Sequence, residues 1–336
     1  MEEKNIVLDI KNLTVTFEVE GDVIEAVNDV SLTVREGETL GLVGETGAGK
    51  TTTALAALRL VPDPPGIIKG GEIFVCGHDI MKAKTKELEK IRGEEISMIF
   101  QDPMTSLNLV YTVGQQIAES IILHQGLSKS EAMKKAGDML EIVGIPRSRM
   151  NEYPHQFSGG MKQRVVIAIA LACNPKMLIA DEPTTALDVT IQAQVLDLMK
   201  NLKEKYGTGT IMITHDLGIV AESCDRVAVM YAGSIVEEGT LEEVFNDTKH
   251  PYTEGLFNSL PNIGDYDTKL KPIPGLMPDP SKLPKGCAFA ERCQYATEAC
   301  REKKPETRSF SDTHFVKCTA YDDPGFHIER KVVFDE

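Results

Sequence analysis

No stretch of this sequence is long and apolar enough to cross a bilayer, which takes about 20 consecutive apolar residues in a helix. The longest apolar run, Val165 to Cys173, is held between Arg164 and Asn174 and suits a buried helix. An export signal is lacking too: the chain opens Met-Glu-Glu-Lys, without a basic segment followed by an apolar one, so a cytoplasmic protein is expected. Basic charge is in short supply, with 36 Lys and Arg against 51 Asp and Glu and a formal net charge of -15. Such a surface repels a polyanion, which argues against nucleic acid as a partner. Internal repeats and low-complexity tracts are missing as well. What remains is 336 residues, 42% hydrophobic and 26% charged, enough for one large globular domain or two moderate ones.

Apolar residues tend to alternate from Leu8 to Phe17, and similar patterns recur through Val27 to Val34 and Glu72 to Val75. These predict half-buried strands and an antiparallel layer opening the fold. Continuous apolar runs then occupy Thr39 to Val43, Met177 to Ala180, Thr210 to Ile213 and Arg226 to Met230, separated by helix-like segments. That is the pattern of a buried parallel sheet, so the fold class is α/β. Between Asp102 and Tyr153 the periodicity is helical, with Ser128 and Glu131 spaced as a capping box and Gly144-Ile145-Pro146 as a stop. From Pro261 to Pro284 the chain is rich in proline and glycine and poor in periodicity, which reads as an extended linker or wrapping segment.

Gly44-Glu45-Thr46-Gly47-Ala48-Gly49-Lys50-Thr51 satisfies G-x-x-x-x-G-K-[ST], directly after the strand Thr39 to Val43 and opening a helix-like run. Glycines let backbone N-H groups turn inward around a phosphate, Lys50 adds positive charge, and Thr51 would offer its hydroxyl to magnesium. Met177-Leu178-Ile179-Ala180-Asp181-Glu182 reads as a buried strand delivering two carboxylates at its C-terminal end. Asp181 can hold magnesium, and Glu182 can accept a proton from water attacking a γ-phosphate. Phe157-Ser158-Gly159-Gly160-Met161-Lys162-Gln163-Arg164 sets two glycines before an amphipathic helix, exposing N-H groups and a serine hydroxyl suited to a phosphate.

The order of these motifs resembles the ATP-binding cassette family, over Leu8 to about Gly239. By that resemblance Gln101, in Ile99-Phe100-Gln101-Asp102-Pro103, corresponds to the glutamine that meets magnesium and the membrane partner. His215, in Ile213-Thr214-His215-Asp216, corresponds to the switch histidine near the γ-phosphate and forms the hydrolytic pair with Glu182. Asp188, in Ala186-Leu187-Asp188, marks the loop linking two cassettes. Phe17 matches the aromatic that stacks on adenine, although its place in an alternating strand equally suits a core role. Thr52 joins the nucleotide-binding loop. Ser158, Gly159 and Gly160 would close over ATP held by a second cassette, so a monomer is expected to be a poor ATPase. The signature departs from the family in carrying Phe157 where Leu is usual.

Asn174-Pro175, the run Asp181 to Thr190 and His250-Pro251-Tyr252-Thr253 look like the dipeptide and oligopeptide importer branch. So does the tail, where four of the seven cysteines, Cys287, Cys293, Cys300 and Cys318, accompany Arg292 and Pro305. Four thiolates could bind a four-iron cluster or tetrahedral zinc, and clustered unmetallated thiols are the third reading. The short C-x-x-C pairs of structural zinc are lacking, and the branch resemblance implies the four-iron cluster. Cys76, Cys173 and Cys224 read as small buried residues.

The expected architecture is a P-loop cassette over residues 1-260: a mixed central sheet, an antiparallel subdomain and a helical insertion over about 102-155. A linker and cysteine-bearing extension would occupy 261-336. The resemblance implies an ATPase energising import of dipeptides or oligopeptides, peripheral on the cytoplasmic face of the membrane. Its partners would be a second identical or paralogous ATPase subunit, two membrane-spanning permease subunits and, indirectly, an extracellular or periplasmic binding protein. Alternatives are import of nickel chelates or other small solutes, a soluble cassette acting in translation, DNA maintenance or iron-sulfur assembly, and a cluster-gated redox sensor.

Overall fold

The structure is a computed structural model and describes residues 5-185, 187, 189-259 and 271-328. Its elements run β1 (Ile6–Val19), β2 (Asp22–Arg35), β3 (Thr39–Val43), α1 (Lys50–Ala57), β4 (Gly66–Val75), β5 (His78–Asp79), α2 (Thr85–Glu94) and β6 (Ile96–Ile99). There follow α3 (Pro103–Ser106), α4 (Val113–Gln125), α5 (Lys129–Ile142), α6 (Gly159–Leu171), β7 (Met177–Asp181), α7 (Val189–Tyr206), β8 (Gly209–Ile213) and α8 (Leu217–Ser223). The chain closes with β9 (Arg226–Tyr231), β10 (Ser234–Thr240), α9 (Leu241–Asn246), α10 (Pro251–Asn258), α11 (Glu298–Glu302), β11 (Thr307–Ser309) and β12 (Phe315–Lys317).

Two sheets result. An antiparallel sheet takes the order β2-β1-β4-β5, and an eight-stranded mixed sheet takes β11-β12-β10-β9-β3-β8-β7-β6. Strands β9, β3, β8, β7 and β6 run parallel. Their near-continuous apolar character follows from coverage on both faces. In β3 the alternation divides two cores: Leu40 and Leu42 pack with Val15, Ile73 and Ala54, while Val43 packs with Ile99, Ile117 and Val165. The register aligns Leu42 with Ile213 and Asp181 with Ile213. The phosphate-loop entry, the two carboxylates and the segment after β8 therefore leave the sheet at one carboxyl edge, where open α/β sheets bind ligands.

Local chemistry sets the helix boundaries. Thr112 with Gln115 and Ser128 with Glu131 form reciprocal capping boxes at the starts of α4 and α5, and Gly126 ends α4 in the left-handed conformation at φ 63. Each cap satisfies backbone donors that the first turn leaves unpaired. Val165 to Leu171 fall within α6, whose side chains are mostly buried, as the isolated apolar run predicted.

Three features depart from expectation. Strand β6 was not anticipated from its four residues. Cys224 is buried, but Cys76 and Cys173 are half-buried. The C-terminal region contributes a hairpin, β11 with β12, which pairs β12 with β10 and so continues the cassette's own sheet. Within the expected linker, residues 271-284 carry no helix or strand, and residues 261-270 lie outside the described residues.

Candidate nucleotide site

Fully buried β3 delivers the loop Gly44 to Gly49 to the N-terminus of α1. Gly44, Gly47 and Gly49 all have positive φ, and a Cβ at Gly49 would sit 2.4 Å from the Ala26 carbonyl oxygen. Glycine is thus required there on conformational and steric grounds. Lys50, 7% exposed, folds back so that Nζ donates to the carbonyls of Gly44 at 2.7 Å and Glu45 at 3.0 Å. Burial lowers its pKa, opposed by the carboxylates of Glu182, Asp181 and Glu45.

Thr51 Oγ1 donates to Asp181 Oδ2 at 2.9 Å. Burial raises the pKa of Asp181, against the hydrogen bond from Thr51. Glu182 follows in the left-handed region at φ 46, a conformation that costs a bulky residue energy and recurs at functional sites. Its carboxylate takes partners other than the Thr51 that holds Asp181. Gln101 Nε2 lies 2.9 Å and Thr185 Oγ1 2.8 Å from Glu182 Oε2, while His215 Nδ1 lies 3.3 Å from Oε1. Burial alone would raise Glu182, but these partners outweigh it and its pKa is lowered. The result is a carboxylate held by partners from three chain segments, at 101, 182–185 and 215, beside the phosphate loop.

Ser158 caps α6, its Oγ accepting from Met161 N-H at 3.4 Å. A Cβ built at Gly159 would meet nothing within 4 Å outside its own helix, whereas one at Gly160 would lie 3.2 Å from Ile191 Cγ2, so the helix start is open on the Gly159 side. Gln163 Nε2 donates to the Pro183 carbonyl at 2.8 Å and ties α6 to the loop after Glu182. Phe17 is half-buried against the second core. Asp188, with its neighbour Ala186, lies outside the described residues.

Three site neighbours carried no role in the sequence reading: Thr185, Tyr252 and Arg292. Thr185 sits in the run after the carboxylates. Tyr252 and Arg292 sit in the segments that suggested the importer branch, yet nothing local revealed that both reach Glu45.

In the tail, Cys300 and Cys318 are buried and Cys287 and Cys293 half-buried. Burial pushes the thiol of Cys293 up to about 11 and that of Cys318 to about 12, and the neighbouring cysteines add to both shifts. The sulfurs are therefore within electrostatic reach of one another. Even so, among the described residues no group of three or more His, Cys, Asp or Glu side chains is placed to hold a metal ion. That bears equally on the zinc and four-iron readings, since tetrahedral zinc takes sulfurs at about 2.3 Å from one point and a four-iron cluster takes four cysteine thiolates.

Comparison with known families matches residues 27-185 to the ABC transporter family and residues 236-300 to the oligopeptide/dipeptide transporter C-terminal region. Among curated proteins, the oligopeptide transport ATP-binding protein OppD of Bacillus subtilis is 53% identical over 313 residues, covering 92% of this chain and 87% of the relative. The chain belongs to the ABC transporter family. A second family member, OppD of Salmonella typhimurium, is 50% identical over 316 residues, covering 94% of this chain and 93% of its own. Among solved ABC structures, the ATP-binding cassette MJ0796, in a dimeric post-hydrolysis state bound to ADP and phosphate, superposes with a TM-score of 0.64 at 30% identity. It covers 70% of this chain and 98% of its own. ABC cassettes use magnesium with ATP, and the chemistry here fits: Thr51 and Asp181 offer two hard oxygens 2.9 Å apart beside the loop.

Proposed function

We propose that this chain is the ATP-hydrolysing subunit of a peptide importer, with Glu182 as the base that activates water. One observation carries the reading: the Glu182 carboxylate is held by Gln101, Thr185 and His215 next to the Thr51–Asp181 pair. Gly44 to Thr52 cradle the phosphates through N-H groups and the Lys50 ammonium, with Phe17 against the adenine. Water attacking the γ-phosphorus gives its proton to Glu182 as the bond to the ADP oxygen breaks, leaving ADP and inorganic phosphate. His215 and Gln101 orient the carboxylate and the water. Magnesium held by Thr51 and Asp181 would neutralise charge on the β- and γ-phosphates.

Hydrolysis in this reading needs a second cassette, identical or paralogous, whose ATP meets Ser158, Gly159 and Gly160, with Asp188 at the junction. The open space at Gly159 supports that. Two membrane-spanning subunits would dock on the helical insertion, residues about 102-155, where Val110 is 73% and Leu123 70% exposed. No helix among the described residues is long and apolar enough to cross a membrane, which supports peripheral attachment. Peptides, delivered by an external binding protein, are favoured as cargo over nickel chelates by the relatives, which are oligopeptide transport proteins. The cassette would span 1-260 and the C-terminal region 261-336. Cys287, Cys293, Cys300 and Cys318, near enough to raise one another's thiol pKa, are the residues that would hold a four-iron cluster in the C-terminal region.

Glu182→Gln in the assembled transporter tests the central claim. Hydrolysis should fall about 10²–10⁴-fold while ATP binding persists; a near-normal rate would remove Glu182 from the role. Peptide-stimulated ATPase in liposomes tests the cargo, and stimulation by a nickel chelate in place of peptide would redirect it. Anaerobic iron and sulfide analysis should find about four of each per chain, lost in Cys293→Ser; their absence from the wild type would end the cluster proposal.

A further inference from the structure

The C-terminal region reaches the phosphate loop directly. Arg292 Nη1 lies 3.0 Å from Glu45 Oε2 and 3.3 Å from the Tyr231 hydroxyl, while Nε donates to the Pro274 carbonyl at 2.9 Å. Its side chain is 7% exposed and lies beside the Tyr231 and Phe289 rings, 5.8 and 5.9 Å from their centroids. A guanidinium so enclosed, with its donors directed, is a fixed strut rather than a loose surface ion.

A second line ends on the same residue. Glu45 N-H donates to the Tyr252 hydroxyl at 2.9 Å, Tyr252 N-H to His250 Nδ1 at 3.0 Å, and His250 N-H to Glu237 Oε2 at 3.0 Å. Glu237 Oε1 lies 2.8 Å from His314 Nε2, beside the tail hairpin. Met277 lies over the loop as well, its Cε 3.1 Å from where a Cβ at Gly47 would be. Glu45 in turn supplies one of the two carbonyls that receive Lys50 Nζ, the other being that of Gly44. Displacing Glu45 therefore shifts an acceptor that positions the phosphate-binding ammonium.

We propose that Arg292 is a positioning residue for ATP binding: by holding Glu45 it keeps the loop and Lys50 in register, so that the C-terminal region sets nucleotide affinity. Arg292 acts through Glu45 and has no contact with a phosphate. The inference rests on Gly44 to Thr51 being the phosphate loop.

The test is calorimetric titration of the full-length chain with magnesium adenylyl imidodiphosphate, together with steady-state ATPase of the assembled complex. Arg292→Ala and Glu45→Gln should each weaken binding about fivefold, and the double variant should be no weaker than either single, as expected of one coupled pair. ATP KM should rise while kcat stays within about twofold, and Arg292→Lys should recover part of the loss. A general structural role would lower kcat and affinity together and give independent losses that multiply in the double variant. That result, or unchanged affinity in Arg292→Ala, overturns the proposal. Should Arg292→Ala fail to fold, Arg292→Gln, which keeps the bulk of the side chain without its charge, takes its place, and unchanged affinity there has the same force. A wild-type chain that binds no nucleotide sinks the loop assignment and the inference with it.

Discussion

Gln101 Nε2 donates to Glu182 Oε2 at 2.9 Å, so the residue that opens the helical insertion holds the carboxylate beside the phosphate loop. A displacement of Gln101 would therefore reorient that oxygen. Gln101→Ala should cut steady-state ATPase about tenfold, the worth of one hydrogen bond to a charged group, with ATP affinity changed less than twofold. Equal rates for variant and wild type would show that the bond has no catalytic consequence.

The Thr51–Asp181 bond joins two oxygens suited to one cation. Thr51→Ala and Asp181→Asn should each raise the magnesium concentration needed for half-maximal ATPase, Asp181→Asn more because it removes charge. Their combination should cost less than the product of the separate effects. Magnesium titrations of the four proteins check this, and strict multiplicativity would mean the two residues act apart.

Two glycines make opposite predictions. At Gly49, φ is +104 and a Cβ would meet the Ala26 carbonyl oxygen at 2.4 Å, so Gly49→Ala should lose about 2–4 kcal/mol of stability as well as nucleotide binding. At Gly159, nothing lies within 4 Å of a Cβ, so Gly159→Ala should melt within about 0.5 kcal/mol of wild type. If that helix start closes on a second cassette's ATP, the same variant should nevertheless lower ATPase in the assembled dimer. Thermal melts and ATPase assays on both variants separate the cases.

His250 caps α10 from a buried position, and burial lowers its pKa from 6.5 to about 3. Above pH 6.5 neither folded nor unfolded chain binds this proton, so stability is indifferent to it. As pH falls below 6.5 the unfolded chain takes up the proton and the folded one does not, and stability declines by up to about 1.4 kcal/mol per pH unit. His250→Asn keeps a capping acceptor and removes the titration. Relative to this variant, the wild type should lose about 2 kcal/mol between pH 6.5 and 5 in urea unfolding. A constant difference across that range would refute the assignment.

Much of this protein was local enough to read from its sequence. The apolar strand, glycine turn and helix start of the phosphate loop are contiguous. The capping boxes of α4 and α5 need residues three apart, and Asp181 and Glu182 end an apolar run. Strand β6 escaped because a run of four residues, three of them apolar, fits a buried strand or a helix equally well. The hairpin β11 with β12 escaped because Thr307–Ser309 is wholly exposed and has no apolar alternation.

Convergence was decided by tertiary structure alone. Thr51 meets Asp181 across 130 residues, Gln101 meets Glu182 across 81, and Glu45 meets Arg292 across 247. Such pairings follow from the order of strands in the sheet and from what packs at its carboxyl edge, and neither leaves a periodic trace in the chain. Residue type and spacing therefore determined which groups could act on a phosphate, while the fold determined which of them hold one another in position.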